Sequence, residues 1–217
     1  MPLAVVAAFV AFSCCSCRQQ ITQFDHPKKL SLPPHFNAKA LAIVKNVSGE
    51  APERLYVLNG QEHPVALNGI CVPVSEDQAE TMLWRLRAKL CPLGYLVFWS
   101  EQINNKPSEI GIIKSADKYE IIRLKQTAGP NYDIDNARLI AKLKDWDKRY
   151  GIDIMGADTD WVRIRFLSLP KDLRAFAQEV HDFSPDVIDQ GVNQDIDCPE
   201  DLVASIRKTK RLYLWWR

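Results

Sequence analysis

Residues 135–167 limit the possible folds more than any other stretch. Asp135 stands where a helix N-cap belongs, and Leu139, Leu143, Trp146 and Tyr150 then recur at steps of three and four residues, the spacing of one helical face. Gly151 follows as the C′ residue that closes the helix. Directly after it, "IDIM", the turn "GADTD" and "WVRIRFL" read as a hairpin, with Val162, Ile164 and Phe166 on one side and Trp161, Arg163 and Arg165 on the other. A capped amphipathic helix that feeds straight into a hairpin has to bury its stripe on a sheet. The chain is therefore expected to be α+β.

The flanking segments extend this pattern. Pro170 opens a helix lined by Leu173, Phe176, Ala177 and Val180, Pro199 opens a shorter one with Leu202, Val203 and Ile206, and "RLYLWW" ends the chain as a strand. With "YEIIRL" taken as a strand, the order from Tyr119 is β-α-β-β-α-(α)-β, the split-βαβ or ferredoxin-like pattern. Upstream, "LAIV", "RLYVL" and "GICVPV" read as short strands, with Asn59-Gly60 as a turn after the second. Ser75 and Gln78 form a capping box ahead of a helix lined by Ala79, Met82, Leu83, Leu86 and Leu90. Pro92 stops that helix, Gly94 turns the chain into the strand "YLVFW", and "EIGII" is a further strand followed by the polar turn "KSAD". The expectation is one domain over residues 41–217: an α/β sandwich with an additional N-terminal β-α-β-β portion on or beside the same sheet.

The first seventeen residues, "MPLAVVAAFVAFSCCSC", differ in kind. Their apolar run is too short to span a bilayer as a helix and has the length of a signal-peptide core. The segment resembles a bacterial lipoprotein signal, in which a small residue precedes the cysteine that is acylated. Cys14 after Ser13 and Cys17 after Ser16 both meet that requirement. The resemblance implies a protein of the bacterial cell envelope, lipid-anchored to the membrane with its domain outside the cytoplasm. Residues 18–40, with three prolines and no sustained apolar period, then form a tether. Of the remaining cysteines, Cys71 and Cys91 flank one helix and can pair in an oxidising compartment or stay reduced in the core. No C-x-x-C follows the leader, so the spacing excludes a zinc ribbon.

Four blocks, "LKDWDKRYGIDI", "DWVRIRFLSLP", "FAQEVHDFSPDVIDQG" and "RLYLWW", occur in an order that resembles the domain-of-unknown-function family 4253, from about Gly69 to the end of the chain. In that family a cysteine normally stands where this chain has Ser184, and an acidic residue where it has Arg217. The resemblance implies domain limits and supplies no reaction.

Function has to come from the residues. The 28 basic and 27 acidic side chains balance, which removes the argument for a nucleic-acid partner. No G-x-S-x-G, Walker loop or glycine-rich strand-to-helix turn occurs, so no cofactor is expected. The most motif-like stretch is "FSPDVIDQG" at residues 183–191. His181, Asp182, Asp186 and Asp189 are candidate ligands of an oxygen-rich metal site. Architecture explains the same residues at lower cost: Ser184 as cap, Pro185 opening a helical turn, Asp186 at its positive end and Gly191 closing it. Trp161, Arg163, Arg165, Trp215 and Trp216 are candidates for a ligand or partner surface, since an exposed indole beside arginines suits recognition. The expected function is a lipid-anchored, non-catalytic binding or interaction module with a possible protein partner. The alternative is a metal-assisted hydrolase using His181, Asp186 and Asp189.

Overall fold

Seven apolar, β-branched or aromatic runs pair into one mixed sheet in a computed structural model that describes residues 31–58, 63–100, 108–190 and 196–216. The strands are β1 (Glu53–Leu58), β2 (Pro64–Pro73), β3 (Tyr95–Ser100), β4 (Glu109–Lys114), β5 (Ile152–Ala157), β6 (Trp161–Phe166) and β7 (Arg211–Trp215), in the spatial order β1-β2-β4-β3-β5-β6-β7. Neighbours are antiparallel except β3 and β5, which run parallel and meet at Trp99 and Gly156.

Among the described residues seven α-helices cover the sheet: α1 (Ala38–Ser48), α2 (Glu76–Leu90), α3 (Glu120–Lys125), α4 (Asn136–Tyr150), α5 (Leu173–Phe183), α6 (Asp186–Asp189) and α7 (Pro199–Thr209). Strand alternation divides the core between the two faces. Leu55, Phe98, Ile113, Ile154, Ile164 and Leu214 pack under α3 to α7, whereas Ile70, Val72, Val97, Ile110 and Ile112 pack under α1 and α2. The α4 stripe is as expected, with Leu139, Leu143 and Trp146 fully buried, each worth about 1.5–3 kcal/mol relative to exposure. Asp135 caps it by accepting the Arg138 N–H at 2.7 Å.

Several expected elements come out differently. "LAIV" lies inside α1, where Asn37 accepts the Ala40 N–H at 2.7 Å and Ala40, Val44 and Val47 form the buried stripe. A four-residue apolar run carries no period that separates helix from strand. Packing also begins before Leu41, because Phe36 is buried and its ring lies 5.1 Å from that of Tyr95. "YEIIRL" is helical as α3, held by local ion pairs of Arg123 with Asp117 and Glu120 and ended by Gln126 in the left-handed region at φ 54°. The β-α-β-β-α-(α)-β order therefore lacks its first strand. In addition, β6 and β7, which a split-βαβ unit keeps apart, are direct antiparallel neighbours. Ser75 is the N-cap of α2 without a side-chain bond, so the capping box with Gln78 does not close. Pro170 does not open α5, which begins at Leu173 with Asp172 as its N-cap. Cys71, Cys91 and Cys198 are all free thiols. Asn59-Gly60, Gly191, Arg217 and the leader with Cys14 and Cys17 lie outside the described residues.

Candidate functional site

Three places concentrate chemistry-bearing side chains. The first is the α5–α6 corner. His181, in the last turn of α5, meets Asp189 of α6 at 3.0 Å near the surface. Asp182 accepts from Gln178 one turn earlier, at 2.8 Å. Asp186 turns inward: 1% exposed, it accepts the Tyr132 hydroxyl at 2.5 Å and the Gln190 amide at 2.8 Å. That hydrogen bond, with lesser help from burial and the charge, pushes the Tyr132 phenol up to about 12. The four residues thus serve three separate contacts. Among the described residues no three His, Cys, Asp or Glu side chains form a group that could hold a metal ion. Pro185 is the N-cap of α6, so the turn begins one residue later than Ser184 as cap would require. Ser184 instead donates from Oγ to the Trp215 carbonyl at 3.0 Å, tying α6 to strand β7.

The second place is the face of β5, β6 and β7 opposite this corner. Alternation puts Trp161, Arg163 and Arg165 of β6 beside Trp215, Tyr213 and Arg211 of β7 as direct cross-strand partners. The Arg163 guanidinium sits 4.3 Å from the Trp99 ring centroid and 5.2 Å from that of Tyr213, and Arg165 sits 4.6 Å from Trp84 of α2. Asp153 accepts from Arg87 at 2.6 Å and from Arg165 at 3.4 Å, while Glu80 holds Arg211 in a two-nitrogen fork. The Arg211 fork holds the Glu80 carboxyl below its ordinary range, outweighing burial, with Trp84 and Arg163 adding to it. No β6 or β7 residue joins the apolar layer under α1 and α2, so this part of the sheet is covered by stacked arginines and rings. Of the expected surface residues, Arg163, Arg165 and Trp215 are half-buried here. Trp161 is 5% exposed, 5.5 Å from the Tyr213 ring, and Trp216 is 2% exposed on the other face, against Phe183 and Gly129. The sheet lies between these arginines and the α5–α6 corner with His181, Asp186 and Asp189.

The third place was not foreseen. At the carboxyl ends of β3 and β5, Asp158 Oδ2 accepts Ser100 Oγ at 2.8 Å and pairs with Lys125 Nζ at 3.0 Å, and all three are buried. Glu109, buried and the cross-strand partner of Ser100, hydrogen-bonds the Cys71 thiol; burial first, and then Glu109, push that thiol far above its ordinary value, which makes it unreactive. Lys125 lies one turn from Ile121 on the buried side of α3, so a lysine on an apolar stripe was the available signal, hidden by reading that segment as a strand.

Residues 109–217 match the family described as Domain of unknown function (DUF4253). The chain belongs to that family. No curated protein and no solved structure matches it. The DUF4253 match runs from β4 to the end, so it contains the α5–α6 corner, the β5–β7 strands of the arginine face and Lys125, but not α2 or β3. Among the described residues no helix is long and apolar enough to cross a membrane.

Proposed function

We propose that the protein is a non-catalytic binding module of the bacterial cell envelope, anchored by an acyl chain on Cys14 or Cys17, with the β5–β7 face as its binding surface. The observation that carries this reading is the stack of Arg163 on Trp99 and Tyr213, beside Arg165 on Trp84, over β6 and β7, which among the described residues carry no part of the apolar layer under α1 and α2. Aromatic side chains and arginine are the residue types enriched where proteins recognise partners, and stacking fixes the guanidinium plane before the partner arrives. The alternative hydrolase needs His181, Asp186 and Asp189 to converge, and Asp186 is committed to Tyr132 and Gln190 instead.

Cross-linking in native cells, with cross-links mapped by mass spectrometry, tests the face. Contacts should fall on β6 and β7 and vanish in an Arg163→Glu/Arg165→Glu variant of unchanged melting temperature. Cross-links confined to α5 and α6 would discard this face. Acyl mass on Cys14 or Cys17 in the membrane fraction is the expected result for the anchor; an unmodified Met1 on soluble native protein excludes it.

A further inference from the structure

We infer that the end of the sheet where β3, β5 and β7 begin docks on the headgroups of an anionic phospholipid bilayer; the choice of a bilayer rests on the proposed acyl anchor. Strand pairing puts Tyr95, Lys114, Ile152, Phe166 and Arg211 at this one end. Three backbone bonds join the elements there. The Leu167 N–H donates to the Gly151 carbonyl and that of Ser168 to Tyr150, both at 2.9 Å, and that of Phe166 to Lys210 at 2.8 Å. The carboxyl ends of α4 and α7 thus flank the β6–α5 connection.

Charge at these junctions is one-sided. Lys148, Lys171, Arg174, Arg207, Lys208 and Lys210 are exposed and form no ion pair among the described residues. Of the nearby carboxylates, Asp147 is paired with Lys118, and Asp145 and Glu179 with Arg149 and Lys142, which leaves Asp172, the N-cap of α5. Helix dipoles change this little, since α4 and α7 bring about −0.5 each and α5 about +0.5. Basic last turns alone occur on many stable helices, and two further observations select a membrane. Among the described residues the exposed large apolar side chains are Leu167, 62% exposed at the centre of the junctions, and Val65, 45% exposed on the part of β2 that runs past this same end of β4. A leucine among lysines suits headgroups over acyl chains better than a purely polar anion. The chain from the proposed anchor also joins the fold here. Ser31 accepts the Arg54 guanidinium, which binds the Leu67 carbonyl on the overhanging part of β2, and the Phe36 ring packs on Tyr95, the first residue of β3. Standing on this end, the sheet turns its β5–β7 face sideways, open to a partner.

The test measures partition of the unacylated full chain, Cys14→Ser/Cys17→Ser, into vesicles of phosphatidylcholine alone or in equal parts with phosphatidylglycerol; the neutral vesicles report what the apolar leader contributes. The mixed vesicles should bind more tightly, and the gain should shrink with salt. Lys171→Gln/Lys208→Gln should lower affinity for them roughly thirtyfold, at about fivefold per lysine, and Leu167→Ser should weaken binding without altering the salt dependence. Lys45→Gln/Arg138→Gln, at the opposite end of the sheet, should bind like the parent. Equal binding to both vesicles, equal losses in the two double variants, or polyglutamate bound as tightly as the mixed vesicles would each overturn the inference. Such a failure, with acyl mass still found on Cys14 or Cys17, discards the docking end and keeps the anchor. Lysine-dependent vesicle binding by a native protein without acyl mass discards the anchor and keeps this end as a lipid contact.

Discussion

Glu179 connects two helices through one carboxylate. From α5 it accepts Arg149 at 2.6 and 3.0 Å, the Trp146 indole at 2.8 Å and Lys142 at 3.2 Å, all three from α4. Burial pushes the carboxyl up, and the hydrogen bonds from Arg149, Trp146 and Lys142 more than reverse this, holding it at about 2 against an ordinary 4.5. A carboxylate with a depressed folded-state pKa stabilises the fold above its unfolded value, and that contribution is lost as pH falls from 4.5 towards 2. Urea unfolding across that window should show a shallower decline in Glu179→Gln than in the parent; identical slopes would mean the cluster adds nothing. Asp186 is the second residue with consequences. As a mere helix-end cap it would tolerate Asn, but it is buried against Tyr132. Asp186→Asn and Tyr132→Phe should each cost about 1–3 kcal/mol, and the double variant less than their sum, because both break one contact. Additive losses in urea unfolding would separate them.

At the scale of elements, the legible parts of the chain were those with caps and a full period. The stripes of α2, α4 and α5, and the alternation of β6 and β7, follow from residue spacing alone. The illegible parts are short or depend on partners distant in sequence. Four apolar residues fit α1 as well as a strand, and α3 is a single helical turn and a half whose fate is set by Arg123 and by docking of Ile121 and Ile122. The same applies to sites: Trp161, Arg163, Arg165 and Trp215 could be named, but Trp84, Trp99 and Glu80 reach them only through the fold. The buried Lys125–Asp158 pair joins α3 to the end of β5 and, through Ser100, to β3. Lys125→Met should destabilise by about 3–5 kcal/mol, since it strands a buried carboxylate, and adding Asp158→Asn should recover part of that loss. A Lys125→Met protein that melts like the parent would place the pair in water.

For the whole molecule, the family boundary and the physical unit differ. The DUF4253 match begins at β4, yet β4 pairs with β2 and β3, both of which precede it in sequence. Residues 109–217 alone would leave β4 without a neighbouring strand and β5 without β3. Ile110 and Ile112 would lose the α2 layer, Asp153 its bond from Arg87, and Asp158 its bond from Ser100. What remains is β5, β6 and β7 with helices on one side only, and an open apolar edge invites aggregation. The 109–217 fragment should therefore lack a cooperative thermal transition and bind a hydrophobic dye, while residues 31–217 melt in one step because the sheet runs unbroken through both halves. A sharp, reversible transition in the fragment, with dispersed amide resonances, would mean that the β3–β5 seam joins two independent units. The Ser100–Asp158–Lys125 contact would then be the link between those units.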